Sequence, residues 1–284
     1  MGFFHVAVFP LALMGIMGGL FGVVLAVASV IFHVNQDERI NKIRAALPGA
    51  NCGGCGYPGC DGYAAGVVND GAGVNKCSVG GAPVAEKIAE IMGVDAGAGL
   101  VPMRAFLKCK GDCKSSPRPA IYDGILDCRS ASVVPSGSPN ACPFGCLGLG
   151  TCEKICPFGA IKIDKATGLP VIDVNKCTGC GVCVENCPKF VLTLVPRKAD
   201  VIVGCNSNWK GAQVRKVCST GCIGCGMCAK ACPAEAITIN KDLAVIDQSK
   251  CIDCGRCAAK CPTKCIETRQ RAELDNNQDL EQSA

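Results

Sequence analysis

Residues 222–233 read CIGCGMCAKACP and residues 251–262 read CIDCGRCAAKCP. Each run spaces four cysteines as C-x2-C-x2-C-x3-C and closes with proline. Thiols this close along the chain bridge poorly to one another, so the spacing points to thiolates gathered around a metal or an iron-sulfur cluster. Four thiolates suit a [4Fe-4S] cluster, and zinc is the alternative. Cys177, Cys180, Cys183 and Cys187, followed by Pro188, make a third intact run.

A fourth run, ACPFGCLGLGTCEKICPFGAI (residues 141–161), breaks the pattern at Leu149. Residues 142–192 laid over 218–266 show an internal repeat beyond the cysteines: AIKI matches AITI, and PVIDVNKC matches AVIDQSKC. In this register Cys142, Cys146, Cys152 and Cys156 pair with Cys218, Cys222, Cys228 and Cys232, and Leu149 stands opposite Cys225. The break is therefore a substitution in a duplicated module, not a shift of frame.

In bacterial two-cluster ferredoxins the fourth cysteine of a run crosses to the neighbouring cluster. The second module is thus expected to use Cys222, Cys225, Cys228 and Cys261 for one cluster and Cys232, Cys251, Cys254 and Cys257 for the other. In the first module Cys156, Cys177, Cys180 and Cys183 form one set. Cys142, in a Gly- and Pro-containing turn four residues before Cys146, is expected to replace the missing ligand beside Cys146, Cys152 and Cys187. A three-iron cluster or a lost one is the alternative. Cys109, Cys113 and Cys128 are candidates for a further site with Cys142 as fourth ligand, which competes with that assignment; structural thiols or a labile metal are the other readings. Cys265 aligns with Val191 and is expected as a small buried apolar residue, whereas Cys205 and Cys218 receive no assignment.

Upstream, NCGGCGYPGCDGYAAGVVNDGAGVNKC (residues 51–77) spaces Cys52, Cys55, Cys60 and Cys77 as C-x2-C-x4-C-x16-C with no following histidine. Its glycines permit a tight loop with backbone N–H groups near cluster sulfur. DERINKIRAAL before it, and YAAGVV and APVAEKIAEIMG after it, read as short packing helices. Five [4Fe-4S] clusters are expected, and the Cys109 group would add one more.

From Phe3 to Val34 no Asp, Glu, Lys or Arg occurs, and 22 successive residues are apolar or small. At 1.5 Å per residue that crosses a bilayer core of about 30 Å. A cleaved signal peptide is the alternative, but the usual basic start is absent. Arg39, Lys42 and Arg44 follow the span, which places the cluster domains on the cytoplasmic side of a single-pass cell-membrane anchor. The span offers no ionisable side chain for an ion path.

Across its 284 residues the chain holds 26 cysteines and 35 glycines, with a net charge of +5 and one tryptophan. Dispersed basic residues and few aromatics argue against nucleic-acid binding. Pieces this small bury little apolar surface and lean on their cofactors. The expected fold is α+β: a transmembrane anchor (1–34), a small helical [4Fe-4S] domain (35–100), ferredoxin-like modules (101–195 and 196–270) and a disordered tail (271–284).

NCGGCGYPGCDGYA, GCLGLGTCEKICPFGAI and the ferredoxin runs, in this order behind an apolar helix, resemble the B subunit of the Rnf complex, an ion-translocating electron-transport complex. The resemblance covers nearly the whole chain. It implies a membrane assembly that passes electrons from reduced ferredoxin to NAD while exporting Na+ or H+. This component would accept and relay electrons, with flavin, nicotinamide and ion-path functions on other subunits. The sequence has no G-x-G-x-x-G fingerprint after a strand, no Walker motif and no catalytic acid-base group. A second ferredoxin module departs from the family's short members and leaves open which module meets ferredoxin. Lys198, Lys210, Arg215 and Lys216 are candidates to attract an acidic donor, or form a solvated basic face. A membrane-tethered iron-sulfur redox sensor is the competing reading.

Overall fold

The computed structural model describes residues 9–31, 37–96, 101–134 and 138–268. The expected 271–284 tail, and the ends of the 1–34 anchor, lie outside these. Helix α1 (Phe9–Ile31) contains a stretch, Leu13–Ile31, long and apolar enough to cross a membrane and with none of it buried against the rest of the protein. Uncovered apolar surface of this length calls for lipid or partner helices around it.

Three helices follow. Asp37 caps α2 (Glu38–Ala46), its carboxylate accepting the Arg39 N–H at 2.9 Å, and the helix stops at Leu47 because Pro48 cannot continue it. With α3 (Gly59–Asn69) and α4 (Gly81–Met92) it closes a core of Ile43, Leu47, Tyr63, Val67 and Ile88. Tyr63 is buried with its hydroxyl donating to the Gly73 carbonyl at 2.7 Å and accepting the Lys76 N–H at 3.2 Å. Burial pushes its pKa up to about 12, so it stays a neutral hydrogen-bonding group.

The rest of the chain is one plan used twice. In the first copy β1 (Met103–Leu107) pairs antiparallel with β4 (Leu192–Pro196) around a hairpin of β2 (Ile161–Ile163) and β3 (Pro170–Ile172). In the second, β5 (Val201–Val203) pairs with β8 (Ile266–Thr268) around β6 (Ile237–Asn240) and β7 (Leu243–Ile246). The strands are short, and cysteines make up a large share of the buried residues in both cores. Val201, Ile237, Ala244 and Ile266 pack with Cys222, Cys228, Cys257 and Cys265 in one; Ala105, Ala160, Ile161 and Leu192 pack with Cys177 and Cys183 in the other. The architecture is α+β, with pieces whose cores are built around thiols.

Four one-turn helices carry the cysteine runs: α6 (Thr151–Lys154), α7 (Val182–Glu185), α9 (Met227–Lys230) and α10 (Arg256–Lys260). Each begins after a left-handed glycine, namely Gly150, Gly181, Gly226 and Gly255, with φ between 70° and 85°. A side chain there would be strained, and the turn it allows folds the loop back so that its thiols face inward. Two helices lie outside this plan, α5 (Cys128–Ser132) in the first copy and α8 (Gly211–Val217) in the second.

Candidate iron-sulfur centres

Cys52, Cys55, Cys60 and Cys77 line one pocket beneath Tyr63. Asn51 holds the loop, its side-chain carbonyl accepting the Cys60 N–H at 2.8 Å, while the Gly80 N–H donates to Cys77 Sγ at 3.3 Å.

The intact runs gather as their spacing suggests. Cys156, Cys177, Cys180 and Cys183 line one pocket, and Cys222, Cys225, Cys228 and Cys261 line another, so the fourth cysteine of a run does cross to its neighbour. Cys232, Cys251 and Cys257 belong to the second core, and Cys254 is exposed. Backbone N–H groups reach several thiols: Ala105 to Cys177, Ala160 to Cys156 and Ala236 to Cys232, each at 3.4 Å. The last two are the same bond in the two copies.

The broken run differs from expectation. Cys142 does not join Cys146, Cys152 and Cys187; the fourth cysteine in their pocket is Cys128. The reason is an insertion. Thirty-two residues separate Cys109 from Cys142, whereas twelve separate Cys205 from Cys218. The extra chain runs back over α6 and is clamped there: the Cys128 N–H donates to Thr151 Oγ1 at 2.7 Å, and that hydroxyl donates to Asp127 Oδ1 at 2.7 Å. Asp127 also caps α5 by accepting the Ser130 N–H at 3.0 Å, and Lys154 Nζ donates to the Leu126 carbonyl at 2.9 Å. Arg129 adds a hydrogen bond to Asn186. Leu149 is flanked by the same left-handed glycines, Gly148 and Gly150, as Cys225 in the intact copy, so the loop kept its path and lost only its thiol.

The expected grouping of Cys109, Cys113, Cys128 and Cys142 is likewise not formed. Cys109 and Cys142 instead line a cavity with Cys205 and Cys218, two cysteines to which spacing along the chain assigns no role. Cys113 is exposed, its thiol directed at the Thr167 carbonyl at 3.5 Å. Cys265 is 1% exposed, in keeping with a small buried residue, and lines the same pocket as Cys222 and Cys261.

Electrostatics limits what such pockets hold. Burial, reinforced by the neighbouring sulfurs, pushes Cys152 and Cys257 up to about 11 and Cys183 up to about 12. Thiols of this kind ionise together only when a cationic centre takes up their charge. Cys222 and Cys261 are the exceptions, lowered to about 6 and about 4 by the Cys265 S–H. Among the described residues no group of three or more His, Cys, Asp or Glu closes on a point tightly enough for a single ion. Five of the thiol groups, those containing Cys52, Cys109, Cys128, Cys156 and Cys222, line spaces of about 330 to 430 Å3 that include their mouths. Four-thiol donor sets around a space fit a cubane cluster better than tetrahedral zinc.

Family comparisons agree. Residues 47–79 match a family model described as "Putative Fe-S cluster", residues 141–191 and 221–273 match a 4Fe-4S dicluster domain, and residues 176–237 match a second dicluster model. Cys109 and Cys128 fall outside every match. Fold and site thus define an iron-sulfur protein with tandem [4Fe-4S] dicluster domains. The chain is 49% identical to the B subunit of the Na(+)-translocating ferredoxin:NAD(+) oxidoreductase complex of Acetobacterium woodii, over 85% of this chain and 72% of that one. It is 44% identical to the B subunit of the proton-translocating ferredoxin:NAD(+) oxidoreductase complex of Clostridium ljungdahlii, over 84% of each chain. With the B subunit of the ion-translocating oxidoreductase complex of Methanosarcina acetivorans it shares 41% identity, over 84% of this chain and 90% of that one. The chain belongs to the family of B subunits of the ion-translocating oxidoreductase (Rnf) complex.

Proposed function

We propose that this chain is the electron relay of a membrane-bound ferredoxin:NAD oxidoreductase complex coupled to Na+ or H+ translocation, and that it takes its electrons from reduced ferredoxin. The observation that carries the reading is the gathering of cysteines from distant parts of the chain into separate groups of four, each around its own pocket. A [4Fe-4S] cluster bound in each would accept and release one electron at a time with no bond made or broken. The chain's own part is to hold the thiolates, exclude water and set the charge balance. N–H groups aimed at Cys77, Cys156, Cys177 and Cys232 favour the more negative state.

Five ligand sets follow: Cys52, Cys55, Cys60 and Cys77; Cys156, Cys177, Cys180 and Cys183; Cys128, Cys146, Cys152 and Cys187; Cys222, Cys225, Cys228 and Cys261; and Cys232, Cys251, Cys254 and Cys257. Arg39, Lys42 and Arg44 just beyond α1 support a cytoplasmic location for all of them. Lys198, Lys210, Arg215 and Lys216 are exposed on the second module and suit an acidic donor protein. Reversing these four to glutamate is expected to slow reduction of the holoprotein by reduced ferredoxin at least tenfold at low salt, measured by stopped flow, with the difference shrinking as salt rises. An unchanged rate would remove the docking surface. Failure of reduced ferredoxin to reduce the unmodified protein would remove the relay.

A further inference from the structure

Cys109, Cys142, Cys205 and Cys218 are the cysteines that line the cavity between the two ferredoxin modules, about 430 Å3 of space including its mouth. We propose that these four hold a sixth [4Fe-4S] cluster, seated at the junction, which joins the clusters of the two modules into one line. The inference rests on the relay reading and adds a site to it.

The two modules repeat the same pair of cysteine positions. Cys109 lies two residues past the end of β1 and Cys205 two residues past the end of β5. The residue between strand and cysteine makes the same ladder bond in each copy: the Lys108 N–H donates to the Val191 carbonyl at 2.6 Å, the Gly204 N–H to the Cys265 carbonyl at 2.8 Å. Cys142 and Cys218 each stand four residues before the first cysteine of their run. Each module therefore contributes the same two positions, and the four thiols meet as equivalent residues do across a two-fold interface. Buried thiols acting as small apolar residues would have no reason to occur at both positions in both copies and to face a shared space.

The junction is also held shut. The Ser219 N–H donates to the Ser115 carbonyl at 3.0 Å, Thr220 Oγ1 to the Lys110 carbonyl at 3.1 Å, and Asn206 Nδ2 to the Lys189 carbonyl at 3.2 Å. Phe144 meets Trp209 edge-on at 5.7 Å. Lys108, in the cavity wall, and Lys189 are partly buried within reach of Cys205 and Cys142 respectively, and supply positive charge where four thiolates would gather.

On the first-module side the Cys146 N–H donates to Cys109 Sγ at 3.4 Å. On the other side the Cys222 N–H donates to the Cys205 thiol. One ligand of each flanking set thus touches a ligand of the junction. Beyond it neighbouring sets are close enough to influence one another electrostatically: Cys152 and Cys183, Cys228 and Cys257, and Cys52 and Cys180. A Cβ on Gly54 would collide with the Cys180 carbonyl, so the helical domain sits directly on the first module. The line runs from the Cys52 set through the first module, across the junction and out to the Cys254 set. Each transfer along it oxidises one site by one electron and reduces the next by one, with no proton moved; the electron is the one supplied by the ferredoxin-class donor.

The test is anaerobic iron and acid-labile sulfide counting, with EPR, on the full-length holoprotein. Six clusters give about 24 iron and about 24 sulfide per chain; the double substitution Cys205→Ala and Cys218→Ala is expected to lower each by about four. Cys113→Ala, exposed and outside every quartet, is expected to leave both counts unchanged. A wild-type count of about 20, or a double variant that keeps the wild-type count, overturns the sixth site and leaves the relay intact. Zinc without sulfide overturns both. The wild-type count decides the matter even where the double variant fails to fold.

Discussion

The two ferredoxin modules share a plan and differ at one thiol of a matching pocket. In the second, Cys222, Cys225 and Cys228 reach their shared pocket from a single loop. In the first, the matching loop keeps its glycines but carries Leu149, and the missing thiol arrives from Cys128, twenty-one residues upstream on inserted chain. The contrast teaches that the pocket, not the motif, is what folding keeps. A glycine-framed loop defines where four sulfurs must be, and any segment that can be anchored over the gap can fill it.

The largest effect should come from removing the imported ligand. Cys128→Ala is expected to cost the first module a complete cubane, lowering the count by one iron atom, with a three-iron EPR signal, or by four where the whole cluster is lost. Cys225→Ala should do the same to the second module. Cys142→Ala should leave the Cys146, Cys152 and Cys187 site intact, and loss of that site in this variant would break the comparison.

A rescue sharpens it. Because Gly148 and Gly150 already hold the loop in the path of its intact copy, the double variant Cys128→Ala with Leu149→Cys is expected to regain the wild-type iron count. No recovery would mean that the insertion shapes the pocket as well as supplying the thiol.

The smallest effect concerns the clamp. Asp127→Ala removes the cap of α5 and the partner of the Thr151 hydroxyl, a local loss of about 1 kcal/mol. It should appear as faster cluster loss to an iron chelator, with the count itself unchanged. Hydrogen bonds from Thr151 and Ser130 hold the Asp127 carboxyl below the usual carboxylate range. Its contribution is therefore complete above the unfolded carboxyl pKa of about 3.9 and is lost only as pH falls through the lower folded value, so wild type and variant should differ by the same amount from pH 8 to pH 5.

Much of this is legible in the chain. The three intact runs, the Cys52 to Cys77 group and the duplication follow from local spacing, since a one-turn loop fixes where its own thiols point. The apolar helix and the helices around Ile43 and Ile88 follow from periodicity and caps. Cys142 defeats such a reading because its proximity to Cys146 along the chain is not proximity in space; the turn containing Phe144 carries it away to the junction. One signal is present in the sequence. Cys142 and Cys218 are aligned across the repeat and both lie outside their runs, which argues for a common role and against a substitute ligand in one copy alone.

The sequence by itself determined that thiol-bound clusters build this protein, how many modules carry them and which glycines turn their loops, because those features depend on residues within one turn of each other. Only the tertiary structure decided which quartet Cys109, Cys128, Cys142, Cys205 and Cys218 belong to. The spacing between such residues is set by how an insertion folds back over α6 and by how two modules meet, and neither leaves a period in the chain. A cluster needs four sulfurs at one place in space, and chain distance stops predicting that place once the ligands come from different elements.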